Sequence, residues 1–218
     1  MKIGIIGSGN IGGTAARLFA AAGHEVALSH TGPPETLREA VAKLGPRSRP
    51  ATVEEAARFG DVVLLALPWR TRESLPANAL AGKIVIDATN PYRPDGGLYD
   101  LGDSSSSEEV ARAIPGARIV KAFNTLFAKD LASRGRSDLP PDERTAIFLA
   151  GDDAEAKSVV GQLVASIGFA PVDTGSLAQG GRLQQPGSPI YARPIAGGDA
   201  RAAIERLPGA EKPSQPGV

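Results

Sequence analysis

The chain has 218 residues, 42% of them hydrophobic, with 24 basic and 24 acidic side chains and a formal net charge of zero. That length buries one main core, or one core with a smaller domain attached, and the balanced charge offers no basic field for nucleic acid or an anionic membrane. There is no cysteine, which excludes disulfide scaffolds, thiolate zinc sites, iron–sulfur ligation and cysteine nucleophiles.

The opening MKIGIIGSGNIGG starts a strand at once and lacks the charged region, apolar stretch and cleavage site of a secretory signal. No run approaches the length of a transmembrane helix, so the expected location is the cytoplasm. Lys2 to Ile6 is apolar without alternation, as in a strand buried on both faces of a parallel sheet. After a glycine-rich turn, Ile11, Ala15, Leu18, Phe19 and Ala22 recur at helical spacing, and Gly23 closes that helix. Val26 to Leu28 supplies a second strand, Pro34 to Leu44 a helical stretch, and Val62 to Leu67, Ile84 to Asp87 and Ile119 to Phe123 further strands. Such alternation predicts an α/β fold, a Rossmann-type doubly wound parallel sheet. The loop YRPDGGLYDLGDSSSS leads into a helix from Glu108 to Ala113, with Ser106 or Ser107 as its cap.

A domain change is placed near residue 125, giving a dinucleotide-binding domain over residues 1–125 and a small C-terminal α/β domain over 126–207. The second part holds the strand in AIFLAGDD, a helix from Ala154 to Ile167 and a strand in GFAPVD. GSLAQGGRLQQPGSPIYARPIAGG is too rich in Gly and Pro to predict a helix, and residues 208–218 read as a disordered tail.

Gly7-Ser8-Gly9-Asn10-Ile11-Gly12 matches GxGxxG, follows a strand and opens an amphipathic helix. That context gives the pattern its force. Gly7 permits the tight turn, Gly9 lets a pyrophosphate approach the backbone, and Gly12 lets the helix pack on the sheet. The alternative is a tight strand–helix turn with no ligand. An NAD site places a carboxylate about twenty residues further on, where this chain has Ser29, His30 and Thr31. These side chains do not repel a 2′-phosphate and can donate to it, which favours NADP over NAD. Arg38 is the nearest downstream arginine that could hold the phosphate.

Ligands of a doubly wound sheet bind at the carboxyl ends of its strands. Three loops there carry unusual residues. In Leu67-Pro68-Trp69-Arg70, the sole tryptophan either walls a nicotinamide or serves as ordinary core. In Asp87-Ala88-Thr89-Asn90-Pro91, Asn90 either orients a carboxamide or forms a turn before proline. In Lys121-Ala122-Phe123-Asn124-Thr125, at a strand end, Asn124 is expected to face the cleft and Lys121 either faces it too or is a solvated strand residue. Asp152, Asp153 and Glu155 read as acidic residues favouring a helix N-terminus; no metal site is expected. No serine triad or glycosidase carboxylate pair is visible, and no side chain is assigned a catalytic role, since a hydride-carrying cofactor needs mainly positioning from the protein.

The ordered set IGIIGSGNIGG, GHEVALSHTGPPETL, DVVLLALPWR, GKIVIDATNP, VKAFNT, GDD and GFAPVDTGSLAQGGRLQQPG resembles the NADPH:F420 oxidoreductase family along nearly the whole chain up to Ile195. The resemblance implies a Rossmann domain for NADP, a small domain closing the cleft and supporting a homodimer, and hydride transfer between NADPH and coenzyme F420 or a related flavin-like acceptor. It implies that Gly7, Ser8, Gly9, Asn10 and Ile11 hold the pyrophosphate and that Ser29, His30 and Thr31 lie at the adenosine phosphate. Leu67, Pro68, Trp69, Asn90 and Pro91 would line the nicotinamide side, with Ala122 and Asn124 near the ring junction. Where the family often carries an arginine after the second strand, this chain has Gly32. Two other readings of the sequence are an NAD(P)-dependent reductase of a small carbonyl or imine compound, and a nucleotide sensor without turnover.

Overall fold

The computed structural model describes residues 1–206. Six strands, β1 (Lys2–Ile6), β2 (Glu25–Ser29), β3 (Ser48–Ala51), β4 (Val62–Leu65), β5 (Ile84–Asp87) and β6 (Arg118–Lys121), form one parallel sheet in the order β3-β2-β1-β4-β5-β6. This is the doubly wound Rossmann arrangement, and its strand order reverses between β1 and β4, where such sheets bind their ligands. The central strands are buried throughout, as their unbroken apolar runs require. β3 carries Pro50, which an edge strand tolerates.

Helix α1 (Asn10–Ala21) follows β1 directly and buries Ala15, Ala16 and Phe19 against the sheet. α2 (Arg38–Ala42) continues a single 3-10 turn at Pro34–Leu37. α3 (Val53–Phe59) opens on a capping box, in which Thr52 accepts from the Glu55 amide and the Glu55 carboxylate accepts from the Thr52 amide. A short α4 (Ala77–Leu80) precedes β5, and α5 (Ser106–Ala113) precedes β6. The α5 cap is Ser105, which forms a capping box with Glu108. Ser106 and Ser107, expected as caps, are fully buried inside the first turn.

After α6 (Ala128–Ser133), β7 (Ala146–Leu149), α7 (Ala154–Ser166) and β8 (Ala170–Asp173) form a second parallel pair. An antiparallel bridge between Lys121 and Ala150 seats this pair beside β6, with backbone bonds of 2.8 and 3.0 Å. Ile147, Val160, Leu163 and Phe169 share one hydrophobic cluster with Ile3, Phe19 and Val120. The Gly-rich segment then forms α8 (Gln179–Leu183), and α9 (Gly197–Glu205) covers β8. A helix at α8 was not expected from its glycines. Its reason is close approach: a Cβ on Gly180 would lie 2.4 Å from the Thr174 carbonyl oxygen, and one on Gly181 3.3 Å from Ser105 Oγ. The tail expected over residues 208–218 lies outside the described residues.

Candidate functional site

The glycine turn is shaped by two contacts that leave no room for side chains. Gly7 has φ +112°, and a Cβ there would sit 2.1 Å from the Ala66 carbonyl oxygen. Gly12 is buried, and its Cβ would lie 1.8 Å from the Gly7 carbonyl oxygen. Gly9 differs, because a Cβ built on it meets nothing within 4 Å. The first two glycines therefore serve packing, and the third faces open space. No side chain caps α1 and its first turn contains no acid, so by helix geometry its leading N–H groups lack an intrachain acceptor. Asn10 is exposed on that turn, and Ile11 packs partly against the core.

Above this turn lies a cleft of ≈ 640 Å³. Gly7, Ser8 and Gly9 border it with His30 and Thr31 from the end of β2, and Leu67 and Pro68 from the end of β4. Seven of the residues expected at the cofactor thus share one cavity. The cleft also takes in Val53, Arg70, Thr71, Ser74 and Leu75. Arg70, Thr71 and Ser74 come from the 3-10 turn Trp69–Ser74, whose hydroxyls fold back onto Pro68 and Thr71 carbonyls. The sequence DVVLLALPWR pointed to this turn, but its one-turn helical pitch, which selects Arg70 rather than Trp69 for the cleft, has no periodic signal.

Trp69 is 4% exposed and borders a different cavity. Its indole N–H donates to the Ser106 carbonyl at 2.9 Å, and its ring packs on Tyr99 and beneath the Arg72 guanidinium. Ser29 is fully buried, and its hydroxyl donates to the Ile5 carbonyl at 2.8 Å. His30 is held by its Nε2, 2.8 Å from Thr36 Oγ1 and 3.2 Å from the Pro33 carbonyl. Arg38 is exposed on α2 and does not border the cleft.

The loops after β5 and β6 are knitted to each other, and none of Asn90, Pro91, Ala122 and Asn124, expected at the cofactor, borders the cleft. Asn90 Nδ2 donates to the Asn124 carbonyl (3.2 Å), while Asn124 Nδ2 donates to Asn90 Oδ1 (3.1 Å) and the Gln184 carbonyl (2.7 Å). Asn124 Oδ1 is buried without a partner. Phe123, next to it, adopts φ +66°, a conformation unfavourable to a bulky side chain that surrounding packing must impose. Ala122 is fully buried and Pro91 is buried. Beneath these loops, Lys121 is fully buried with its Nζ 3.1 Å from the Thr89 carbonyl, 3.1 Å from Ser106 Oγ and 3.4 Å from Asp87 Oδ2. Asp87 also accepts from the Thr89 amide, the Thr89 hydroxyl and the Ser107 hydroxyl. Burial holds the Lys121 ammonium below the ordinary lysine range, against the opposing pull of Asp87.

The acidic group after β7 is occupied structurally. Asp153 caps α7, and Arg118 pairs with Asp153 and Glu155 at 2.5–2.9 Å. Asp152 accepts from the Leu177 amide.

Residues 2–91 match the family of coenzyme F420-dependent NADP oxidoreductases. A hypothetical protein from Sinorhizobium meliloti is 34% identical, with a TM-score of 0.80 over 90% of this chain and 95% of that one. A candidate F420-dependent NADP reductase from Arthrobacter sp. FB24 is 28% identical, with a TM-score of 0.73 over 90% of this chain and 99% of the other. Over residues 2–91 the chain belongs to the F420-dependent NADP oxidoreductase family. Membership makes it an NADP-linked oxidoreductase of Rossmann fold. Metalloreductase STEAP3 of Rattus norvegicus is 32% identical over 81% of the chain. The chain spans 34% of that protein's length. No helix among the described residues is long and apolar enough to cross a membrane.

Proposed function

We propose that the cleft over the glycine turn binds NADP(H), and that the protein transfers hydride between this cofactor and coenzyme F420 or a related flavin-like acceptor. The observation that carries the reading is the ≈ 640 Å³ cleft itself, which runs from the glycine turn to His30 and Thr31 on one side and Leu67 and Pro68 on the other. Its donor set suits a dinucleotide. Uncapped amides at the start of α1 receive the pyrophosphate, with the open space over Gly9 giving it room. Val53, Leu67 and Leu75 offer an apolar wall for a flat base. No carboxylate stands at the end of β2 to repel a 2′-phosphate, and His30 and Thr31 are the side chains that meet it.

NADP(H) supplies the hydride when bound, and the chain supplies position and exclusion of water. On the nicotinamide side, Leu67, Pro68, Asn90, Pro91, Ala122 and Asn124 set the height and tilt of the ring. The carboxamide role passes from Asn90 to Asn124: both polar ends of Asn90 are engaged by Asn124, whereas Asn124 Oδ1 is the buried acceptor left over for an amide N–H. A second cavity of ≈ 300 Å³, between Pro91, Leu98–Gly102, Ser104, Arg182, Gln185 and Pro186, adjoins this corner and is the place assigned to the acceptor. A homodimer and a cytoplasmic location accompany this reading.

The test is anaerobic mixing of purified protein with NADPH and F420. Loss of NADPH absorbance matched by F420 reduction is expected. No turnover above background with F420 and a panel of flavins overturns the acceptor, and sedimentation at monomer mass at micromolar concentration overturns the dimer.

A further inference from the structure

The run His30-Thr31-Gly32-Pro33-Pro34-Glu35-Thr36 closes on itself. The Thr36 amide and hydroxyl both donate to the Pro33 carbonyl, at 3.1 and 2.8 Å. Because the Thr36 proton is committed there, its oxygen meets His30 Nε2 as an acceptor at 2.8 Å. The neutral imidazole therefore carries its proton on Nε2, and Nδ1 has no protein partner among the described residues. The same ring fills the place of a side chain at position 32: a Cβ on Gly32 would lie 2.7 Å from its Cε1 and 3.2 Å from its Nε2. Gly32, conspicuous in the sequence as the missing arginine, is thus the residue that makes room for the imidazole.

We propose that Gly32 and Thr36 are specificity-determining residues that act through His30: together they hold the ring so that Nδ1 receives the adenosine 2′-phosphate in place of an arginine. The inference rests on the NADP reading of the cleft. When a phosphate monoester arrives, the P–O–H of its monoanion donates to Nδ1 as a charge-assisted bond. A ribose 2′-hydroxyl makes at most a neutral bond to the same nitrogen, roughly half as strong, so displacing the ring harms NADPH binding more than NADH binding. Thr36 touches no cofactor in this account and is a positioning residue. The rival anchor is Arg70, which borders the cleft and forms no ion pair or side-chain hydrogen bond among the described residues.

Calorimetric titration of NADPH and NADH into the full chain separates these possibilities. Gly32→Ala forces only the imidazole to move, and Thr36→Val removes its acceptor while keeping the shape. Each is expected to raise the NADPH Kd about five- to tenfold, the effect of one lost hydrogen bond, with the NADH Kd changed by less than about twofold. Thr36→Ser is expected to restore the wild-type ratio, and Arg70→Ala to weaken both cofactors alike. A wild type that prefers NADPH, with both Gly32→Ala and Thr36→Val folded and the ratio unmoved, overturns the proposal. So does a ratio that collapses in Arg70→Ala alone. Equal binding of the two cofactors by the wild type instead overturns the underlying NADP reading.

Discussion

Replacing Lys121 with methionine removes the cation of a fully enclosed cluster. The ammonium sits within 3.1–3.4 Å of three oxygens, and both Lys121 and Asp87 are completely buried. In Lys121→Met the aliphatic stem is nearly preserved, so little packing is lost. What remains is a buried Asp87 carboxylate with three hydrogen-bond donors and no countercharge, while the Thr89 carbonyl and Ser106 hydroxyl each lose a donor. Breaking a buried pair in this way costs about 3–5 kcal/mol, a large share of the roughly 5–15 kcal/mol that holds a folded domain together. With a urea slope of about 3 kcal/mol/M, the unfolding midpoint falls by about 1–1.7 M. Asp87→Asn is expected to cost less, because burial already lowers the Lys121 affinity for its proton and the unpaired amine can become neutral. Urea unfolding followed by circular dichroism measures both. A loss below about 1 kcal/mol in Lys121→Met, or a larger loss in Asp87→Asn, refutes the reasoning.

His24 ties the end of α1 to α7. Its Nε2 lies 3.3 Å from Ser166 Oγ, and its Nδ1 lies 3.4 Å from the Met1 amino group. Burial, with the Met1 charge adding to it, lowers its pKa below 6.5. The folded state then binds fewer protons than the unfolded one, so the His24 contribution is whole above the unfolded value and is lost as pH falls through the folded value; the imidazole proton shift by NMR should titrate below that of an unfolded-state histidine. Gly180→Ala places a methyl 2.4 Å from the Thr174 carbonyl oxygen, where backbone must yield, and is expected to destabilise by about 1–3 kcal/mol; an unchanged melting temperature would contradict the close-approach account of α8.

The parallel sheet was legible because its signals are local and repetitive. Continuous apolar strands recur from Lys2 to Lys121, and the first strand, the glycine turn and the helix-period stripe after it lie within about thirty residues. Other features were present but unread: Thr52-x-x-Glu55 marks the α3 capping box, and Ser105-x-x-Glu108 marks the α5 cap one residue before the serines chosen. Contacts between distant residues left no periodic trace. Trp69 turns to the Ser106 carbonyl, 37 positions away; Asn124 is engaged by Gln184, 60 positions away; and α8 exists because two glycines let it approach Thr174 and Ser105. Gly32 is the sharpest case. Its lack of a side chain is visible in the sequence, whereas its reason, a folded-back imidazole, depends on the turn at Pro33-Pro34.

The most direct test of the central claim is NADPH binding by Gly9→Val. Gly9 has φ −69° and ψ −165°, which valine adopts without strain, and a Cβ there meets nothing within 4 Å. The variant is therefore expected to fold with the wild-type melting temperature, while its side chain occupies the room needed by a pyrophosphate. Calorimetric NADPH binding is expected to weaken at least about a hundredfold, the loss of about 3 kcal/mol of charged-group hydrogen bonds to phosphate. A folded Gly9→Val protein that binds NADPH as tightly as the wild type would contradict it.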